Sequence, residues 1–247
     1  MSAFRFATLN IWGLPGPLSW PPRRVRFPRV RDFLAKHTFD VVAVQELWRT
    51  AGRPRALDNS GLIVPKASEG NSGLGLSSRF PVLSVEHKSY GLGAPFPESL
   101  WTDKGMQHVA LDVDGTRVDF FNTHVQAYRT GKSVTRRAAH LGALLAAAVQ
   151  CPGPVVAAGD WNVYAGIASD VAALKRFEDA GFVDAVAPFD SSPTFDMFGE
   201  RERFDRVYVR GLTSLSAKVH VDARLADHRP VVVELALPVV SAASPLR

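Results

Sequence analysis

Residues 106–162 read MQHVALDVDGTRVDFFNTHVQAYRTGKSVTRRAAHLGALLAAAVQCPGPVVAAGDWN, and the order of elements within them sets the fold class. Met106 to Val113 and Arg117 to His124 are β-rich runs. Asp114-Gly115 between them is a hairpin turn pair, because both residue types accept the positive φ that a tight turn demands. Ser133 then stands where a side chain can cap a helix carrying Val134, Ala138, Leu141, Leu144, Leu145 and Ala148 on one side. Pro152-Gly153-Pro154 ends that helix, and Val155 to Ala158 follows as a buried strand. Hairpin, helix and buried strand in succession indicate an α/β chain.

The same logic extends outward. Phe4 to Leu9 alternates phenyl rings with smaller residues, as a strand does. Pro28 to His37 places Val30, Phe33, Leu34 and His37 at helical spacing, with Pro28 suited to a first turn. Val41 to Val44, Gly73 to Ser78 and Val82 to Glu86 read as strands. Ser169 to Ala180 reads as a helix stopped by Gly181. Three more strands are expected near Phe204 to Val209, Ser214 to Val221 and Pro230 to Leu237. Many strands and few helices predict two sheets packed face to face with helices outside. No repeat or low-complexity linker interrupts the chain, so residues 1–240 are read as one domain and 241–247 as a loose tail.

Hydrophobic residues make up 46% of the 247, enough for a sizeable core and not the composition of a disordered chain. A single cysteine, Cys151, leaves no internal disulfide. The start shows no basic region followed by an apolar stretch, and Leu141 to Val149 is far short of the roughly 20 residues of a membrane span. A cytoplasmic, monomeric protein is the expectation. The net charge of +5 is partly local, with Arg23, Arg24, Arg26, Arg29 and Arg31 in one group and Arg129, Lys132, Arg136 and Arg137 in another. Such a face attracts phosphates on nucleic acid or on an anionic membrane, or is simply solvated.

Polar residues gather where strands end. Asn10 follows the first strand, Glu46 follows the second, His124 closes the hairpin, and Asp160 and Asn162 follow the buried strand. Asp205 sits within Arg-Phe-Asp-Arg-Val-Tyr, and Asp227-His228 precedes the last strand. Taken singly, each has a structural explanation: a strand end, a turn, an ion pair of Asp205 with its flanking arginines. Together they suit one pocket, since buried carboxylates are costly unless paired or metal-bound and functional groups favour the ends of rigid strands. Carboxylates and amides without cysteine suit a hard cation such as Mg²⁺, with Mn²⁺ a substitute. Histidine can take a proton from water near neutral pH, so metal-assisted attack of water on phosphorus is within this set's reach.

In this order, TLNIWG, QELW, FNTHVQAY, GDWN, RFDRVY and ADHRPV resemble the endonuclease/exonuclease/phosphatase superfamily from Phe4 to about Leu237. The resemblance implies a four-layered sandwich of two mixed β-sheets flanked by helices. It implies a metal ligand at Glu46 with Asn10 close by, and His228 as the base activating water, oriented by Asp205. It further implies that Asp160 and Asn162 position nucleophile and phosphate, that His124 stabilises charge on the phosphoryl oxygens, and that Asp227 helps hold metal or His228. Where the family usually has Ser before Asp-His, this chain has Ala226. LNIWGLP, NSGLGLSSRFPV, Lys104-Gly105 and FNTHVQAY look most like neutral sphingomyelinases, which implies phospholipase C-like cleavage of a phospholipid head group. Lys104 and Arg129 are then the substrate-binding candidates. Apolar loops at Pro15 to Pro22, with Trp20, and Leu92 to Trp101, with Phe96, are candidates for peripheral membrane contact. RFDRVYVR looks like tyrosyl-DNA phosphodiesterases, so a DNA-processing nuclease is the alternative. A non-catalytic binding module would lack at least one key group, and none is lacking.

Overall fold

A computed structural model describes residues 2–14, 21–48, 72–91, 103–197, 199–223 and 225–238. The loops carrying Trp20 and Phe96 and the tail 241–247 lie outside the described residues. Among the described residues, the strands and helices follow in the order β1(Ala3–Asn10), α1(Arg23–His37), β2(Val41–Gln45), β3(Gly75–Ser78), β4(Val82–Ser89), β5(Gly105–Val113), β6(Thr116–His124), α2(Gly131–Ala148), β7(Val155–Asp160), α3(Ala168–Asp179), β8(Val183–Asp184), β9(Phe195–Met197), β10(Glu200–Glu202), β11(Asp205–Arg210), β12(Thr213–Val219) and β13(Val231–Ala236). One sheet has the order β12-β13-β1-β2-β3, the other β4-β5-β6-β7-β11-β8, and β9 pairs with β10 alone. Both large sheets are mixed: β1 runs parallel to β2, and β6 to β7, while the remaining pairs are antiparallel.

The alternation of each strand assigns its two faces. Phe4 and Phe6 of β1, Val41 and Ala43 of β2, Phe120 of β6, Val156 and Ala158 of β7, Val207 and Val209 of β11, and Val231 and Val233 of β13 share one core between the sheets. The intervening residues face outward. Ala7, Leu9, Val42, Val44 and Val232 receive Phe27, Val30 and Phe33 of α1. Phe121, Val155, Ala157 and Tyr208 receive Leu141, Leu144 and Leu145 of α2 and Phe177 of α3. Helix, sheet, sheet and helix therefore form the four layers that the resemblance implies.

Several local readings need correction. α1 starts five residues before Pro28, with Pro22 as its extended N-cap. Arg26 and Phe27 are buried in that added turn, and the charge of Arg26 hides the apolar period. Pro28 is therefore inside the helix; it is exposed, so the carbonyl its missing N–H leaves behind can meet water. α2 is capped by Thr130, whose hydroxyl accepts from Ser133 N at 3.4 Å, and Ser133 is buried within the helix. The Asp114-Gly115 turn stands as expected, with φ of 50° and 85°. Two members of the second basic group are held in ion pairs. Arg137 is buried on Asp170 at 2.8 Å, and Arg129 pairs with Glu200 and Glu202 at 3.2 and 3.0 Å.

Candidate active site

The inward face of each strand carries apolar residues for most of its length and then changes chemistry at one end. Phe4 and Phe6 lead to Thr8 and Asn10, Ala43 leads to Gln45, and Phe120 leads to Asn122 and His124. Ala158 leads to Asp160, and Val209 and Val207 lead back to Asp205. Because side chains of equal parity share a face, all these groups enter the space between the sheets at the same end of the sandwich. The register aligns them: His124 lies opposite Asp160, Asp160 opposite Asp205, and Asn10 opposite Gln45. Asn10, His124, Asp160 and Asp205 are each at most 3% exposed.

The backbone bends sharply at this end. Trp12, Glu46 and Asn162, just beyond β1, β2 and β7, have φ of 49°, 61° and 48°, a left-handed conformation that non-glycine residues adopt at a cost and that clusters at functional sites. Gly159 has φ of 129°, and a Cβ there would lie 2.1 Å from the Thr123 carbonyl oxygen, so only glycine lets β7 approach β6 beside the site.

A chain of polar contacts crosses the pocket. His228 Nδ1 is 2.7 Å from Asp205 Oδ2, and its Nε2 is 3.8 Å from Asp160 Oδ2. Asp160 Oδ2 is in turn 3.4 Å from His124 Nε2, which is 2.7 Å from Lys104 Nζ. An ammonium has only protons to give, so His124 Nε2 accepts and this ring is neutral. Burial, the Lys104 charge and His228 all hold the His124 pKa well below 6.5. His228 is the opposite case. Burial opposes its charge, but Asp205 and Asp160 outweigh that and hold its pKa well above 6.5. Burial raises Asp160 to about 6, against the opposing influence of His228. The two histidines of one pocket are thus driven apart in their protonation, a pattern of acid–base sites.

Asn10 ties the acids together. Its Nδ2 donates to Glu46 Oε1 at 3.1 Å and to Asp160 Oδ2 at 3.0 Å, while its Oδ1 accepts from Trp12 N at 2.9 Å. Asn162 N donates to Asp160 Oδ1 at 3.1 Å, and Asn162 Nδ2 to Val125 O at 3.1 Å. Asp227 lies near Glu46; burial lifts its pKa to about 7, with Glu46 adding to the rise and His228 opposing it. An Asp227 whose charge burial disfavours, and a buried Glu46 Oε2 with no hydrogen-bond partner among the described residues, suit a hard cation. The residues present fit the divalent metal that the resemblance implies. A second group, His108, Asp119 and Cys151, also brings ligand atoms together, but Arg117 already holds both Asp119 oxygens, at 2.8 and 3.2 Å.

Of the sequence candidates, Asn10, Glu46, Lys104, His124, Asp160, Asn162, Asp205, Asp227 and His228 form one connected group. Arg129 stands apart, half-exposed, tied to Glu200 and Glu202 and 4.3 Å over the Tyr164 ring. Supporting residues also come into view: Gln45 and Asn122 stand out in the sequence as strand-end polar residues but are not among its site candidates. Gln45 Nε2 donates to Thr8 Oγ1 at 3.0 Å and to Asn122 Oδ1 at 2.7 Å, and Asn122 Nδ2 donates to the carbonyls of Val44 and Gly75, both at 3.0 Å. These bonds clamp the two sheets directly beneath the site. Thr194 Oγ1 accepts from Asp205 N at 2.9 Å, and the Phe195 and Phe204 rings lie 5.1 and 6.1 Å from the His228 ring. The available signal was parity: Thr8 and Asn122 each precede a site residue by two positions on the same face.

Residues 7–228 match the Endonuclease/Exonuclease/phosphatase family. The chain is 30% identical over 176 residues to an inositol phosphosphingolipids phospholipase C of Schizosaccharomyces pombe, covering 64% of this chain and 41% of that protein. It is 28% identical over 138 residues to a putative neutral sphingomyelinase of Caenorhabditis elegans, covering 50% of this chain and 31% of that one. The chain thus spans less than half the length of these curated relatives. Among solved structures, a sphingomyelinase C from Streptomyces griseocarneus superposes with a TM-score of 0.68 at 20% identity, over 95% of this chain and 99% of the other. A humanized D. rerio TDP2 superposes with a TM-score of 0.75 at 18% identity, over 95% and 99%. At these identities the structural likenesses establish the fold.

Proposed function

The chain belongs to the Endonuclease/Exonuclease/phosphatase family, and from that premise we propose that it is a divalent-metal-dependent phosphodiester hydrolase that cleaves a phospholipid head group in the manner of a phospholipase C. The observation that carries the reaction class is the buried His228–Asp205 pair at 2.7 Å, with His228 Nε2 3.8 Å from Asp160. Family members are generally dependent on divalent metals, and Glu46 and Asp227 would hold Mg²⁺ or Mn²⁺ here, with Asn10 orienting Glu46. When bound, such an ion supplies positive charge against the phosphoryl oxygens.

In its neutral form, His228 Nε2 takes a proton from the attacking water. Asp205 accepts from Nδ1–H, fixes the ring orientation and stabilises the imidazolium that forms. Asp160, held by Asn10 and Asn162, stands within reach of both histidines and fixes the water and phosphate between them. At the far side, the Lys104 ammonium, held by His124 Nε2, would place its positive charge near the phosphoryl oxygens, where negative charge builds in the transition state. Ala226 removes a hydroxyl next to Asp227 but no group that this sequence of events uses.

The curated relatives, named for sphingolipid substrates, support the lipid. No helix among the described residues is long and apolar enough to cross a membrane. The D. rerio TDP2 likeness and the basic N-terminal half of α1 favour DNA as the second reading. Hydrolysis of sphingomyelin vesicles and of a labelled DNA duplex, side by side with and without chelator, separates them. Chelator-sensitive turnover of lipid alone supports the proposal. Turnover of DNA alone replaces its substrate, and no metal-dependent turnover of either refutes it.

A further inference from the structure

On the face of the six-stranded sheet turned away from the catalytic pocket, three ligand-type side chains converge. His108 of β5 lies opposite Phe121 of β6, on the side that α2 covers, and Asp119 has the same parity as Phe121. Cys151 stands just past the end of α2. Asp119 is five positions before His124, so the group sits roughly 17 Å along the strand from that residue, at about 3.3 Å per position. Asp119 Oδ1 is 2.8 Å from His108 Nε2, and Cys151 Sγ is 4.0 Å from the same nitrogen. One ligand atom from each of the three lies within 4.8 Å of the other two. The His108 ring stacks on Phe121, with 4.3 Å between centroids and 6° between planes, which fixes the direction of its Nε2.

Three roles compete for this group. A relay of nucleophile, base and acid needs the thiol at one ring nitrogen and the carboxylate at the other. Here both approach Nε2, so the ring cannot pass a proton between them. Burial and the charge of Asp119 also push the Cys151 thiol up to about 11, the reverse of an activated nucleophile. An ion-pair cluster accounts for Asp119, which His108 and Arg117 both hold, but not for Cys151, whose Sγ makes only weak contacts of 4.0 Å with His108 and with Ala147 O. A metal ion accounts for all three. Imidazole nitrogen, carboxylate oxygen and thiolate around one point are ligands of zinc-type ions, and at about 2.0–2.3 Å from the metal they stand roughly 3.3–3.6 Å apart. The separations of 2.8 and 4.0 Å fall on either side of that range, so closure takes shifts on the order of 1 Å. Arg117 is the competitor, since its guanidinium holds both Asp119 oxygens. Its side chain is half exposed, however, and Glu86, opposite His108 on β4, offers it another carboxylate.

We propose that His108, Asp119 and Cys151 form a second metal site, for a zinc-type transition-metal ion, separate from the catalytic pocket and independent of the substrate read for it. On binding, the Cys151 thiol releases its proton to solvent, and neutral His108 carries its hydrogen on Nδ1. Arg117 turns toward Glu86, and a water takes the fourth position. The ion then ties the end of α2 to β5 and β6.

Cobalt(II) is the probe. Cys151 is the single cysteine of the chain, so a thiolate-to-cobalt charge-transfer band in the near ultraviolet can arise from this site alone. The reduced, chelator-treated full chain is titrated with Co²⁺ in the presence of excess Mg²⁺. The wild type should develop the band saturably, and Zn²⁺ should abolish it by displacement. Cys151→Ser, close in shape, should show no band. His108→Ala should weaken the affinity at least about tenfold, the scale seen when support for a metal ligand is lost. Arg117→Gln removes the competing cation at a half-exposed position and should strengthen the affinity. Circular dichroism checks that each variant is folded, and Arg117→Gln decides if His108→Ala is not. Absence of the band in the wild type overturns the inference. So does a band of unchanged affinity in Arg117→Gln and in folded His108→Ala, which would be a thiol binding cobalt by itself.

Discussion

Replacing Asp205 with Asn tests whether His228 is the base. The substitution keeps shape and removes the carboxylate 2.7 Å from His228 Nδ1. At an effective dielectric of about 20, two unit charges at that separation interact by about 6 kcal/mol. An Asn oxygen can still accept the Nδ1–H, and Asp160 still faces Nε2 at 3.8 Å, so roughly half of that stabilisation of the imidazolium should be lost. About 3 kcal/mol corresponds to about two pKa units and to roughly a hundredfold in rate. Burial already opposes charge on His228, and Asp205 leads the groups that override it, so the His228 pKa must fall in the variant. The assay is kcat/KM against pH at saturating metal, with circular dichroism to confirm the fold. The expected profile has a plateau about a hundredfold lower and an ascending limb displaced to lower pH. A rate within about threefold of wild type, with the limb unmoved, would refute the pairing as the source of catalysis.

Gly159→Ala should be among the most damaging small substitutions, because its Cβ would lie 2.1 Å from a backbone oxygen at a φ of 129°; a loss of at least about 2 kcal/mol, or roughly 4–8 °C in Tm, is expected by calorimetry. Arg137→Met should cost about 3–5 kcal/mol by leaving Asp170 charged and fully buried, whereas Arg137→Met with Asp170→Leu should recover part of it in denaturant titration. Mg²⁺ affinity measured by calorimetry should rise by up to about tenfold per pH unit below 7 and level off above, because burial and Glu46 raise Asp227 to about 7 and the ion must displace that proton. A flat affinity from pH 6 to 8 would remove Asp227 from the metal site. The metal-free protein should lose stability as pH rises from 7 to 9. A raised histidine pKa contributes stability that is complete below 6.5 and lost as pH passes the folded value, and the raised Asp227 acts in the same direction up to about 7. Thermal scans at the two pH values, with and without Mg²⁺, measure that loss and its reversal.

Much of the architecture was legible because its signals are local. The hairpin at Asp114-Gly115, the alternation of Phe4 and Phe6, and the apolar run Val155 to Ala158 each report on neighbours within a few residues, where side-chain period and turn chemistry act. The strand-end polar residues stood out for the same reason. The start of α1 did not, because burial of Arg26 against Trp12 gives a charged residue the place of an apolar one. The cap of α2 shifted to Thr130 because competing hydroxyls three residues apart differ only in which backbone N–H they meet.

By itself, then, the amino-acid sequence determined which residue types stand at which strand ends, and with them the fold class and the reaction the side chains could support. It could not supply the contacts between them. Asn10 meets Asp160 across 150 positions of chain, and Gln45 meets Asn122 across 77. Those meetings depend on strand register and on two sheets facing each other at a set distance. The same tertiary arrangement turned Arg129 toward Glu200 and Glu202, set Lys104 against His124, and brought Cys151 to His108 and Asp119. Local chemistry is written in order along the chain. Which charges share a low-dielectric space follows only from how distant segments pack, and that packing decides which groups lose their protons, which keep them, and what the site can hold.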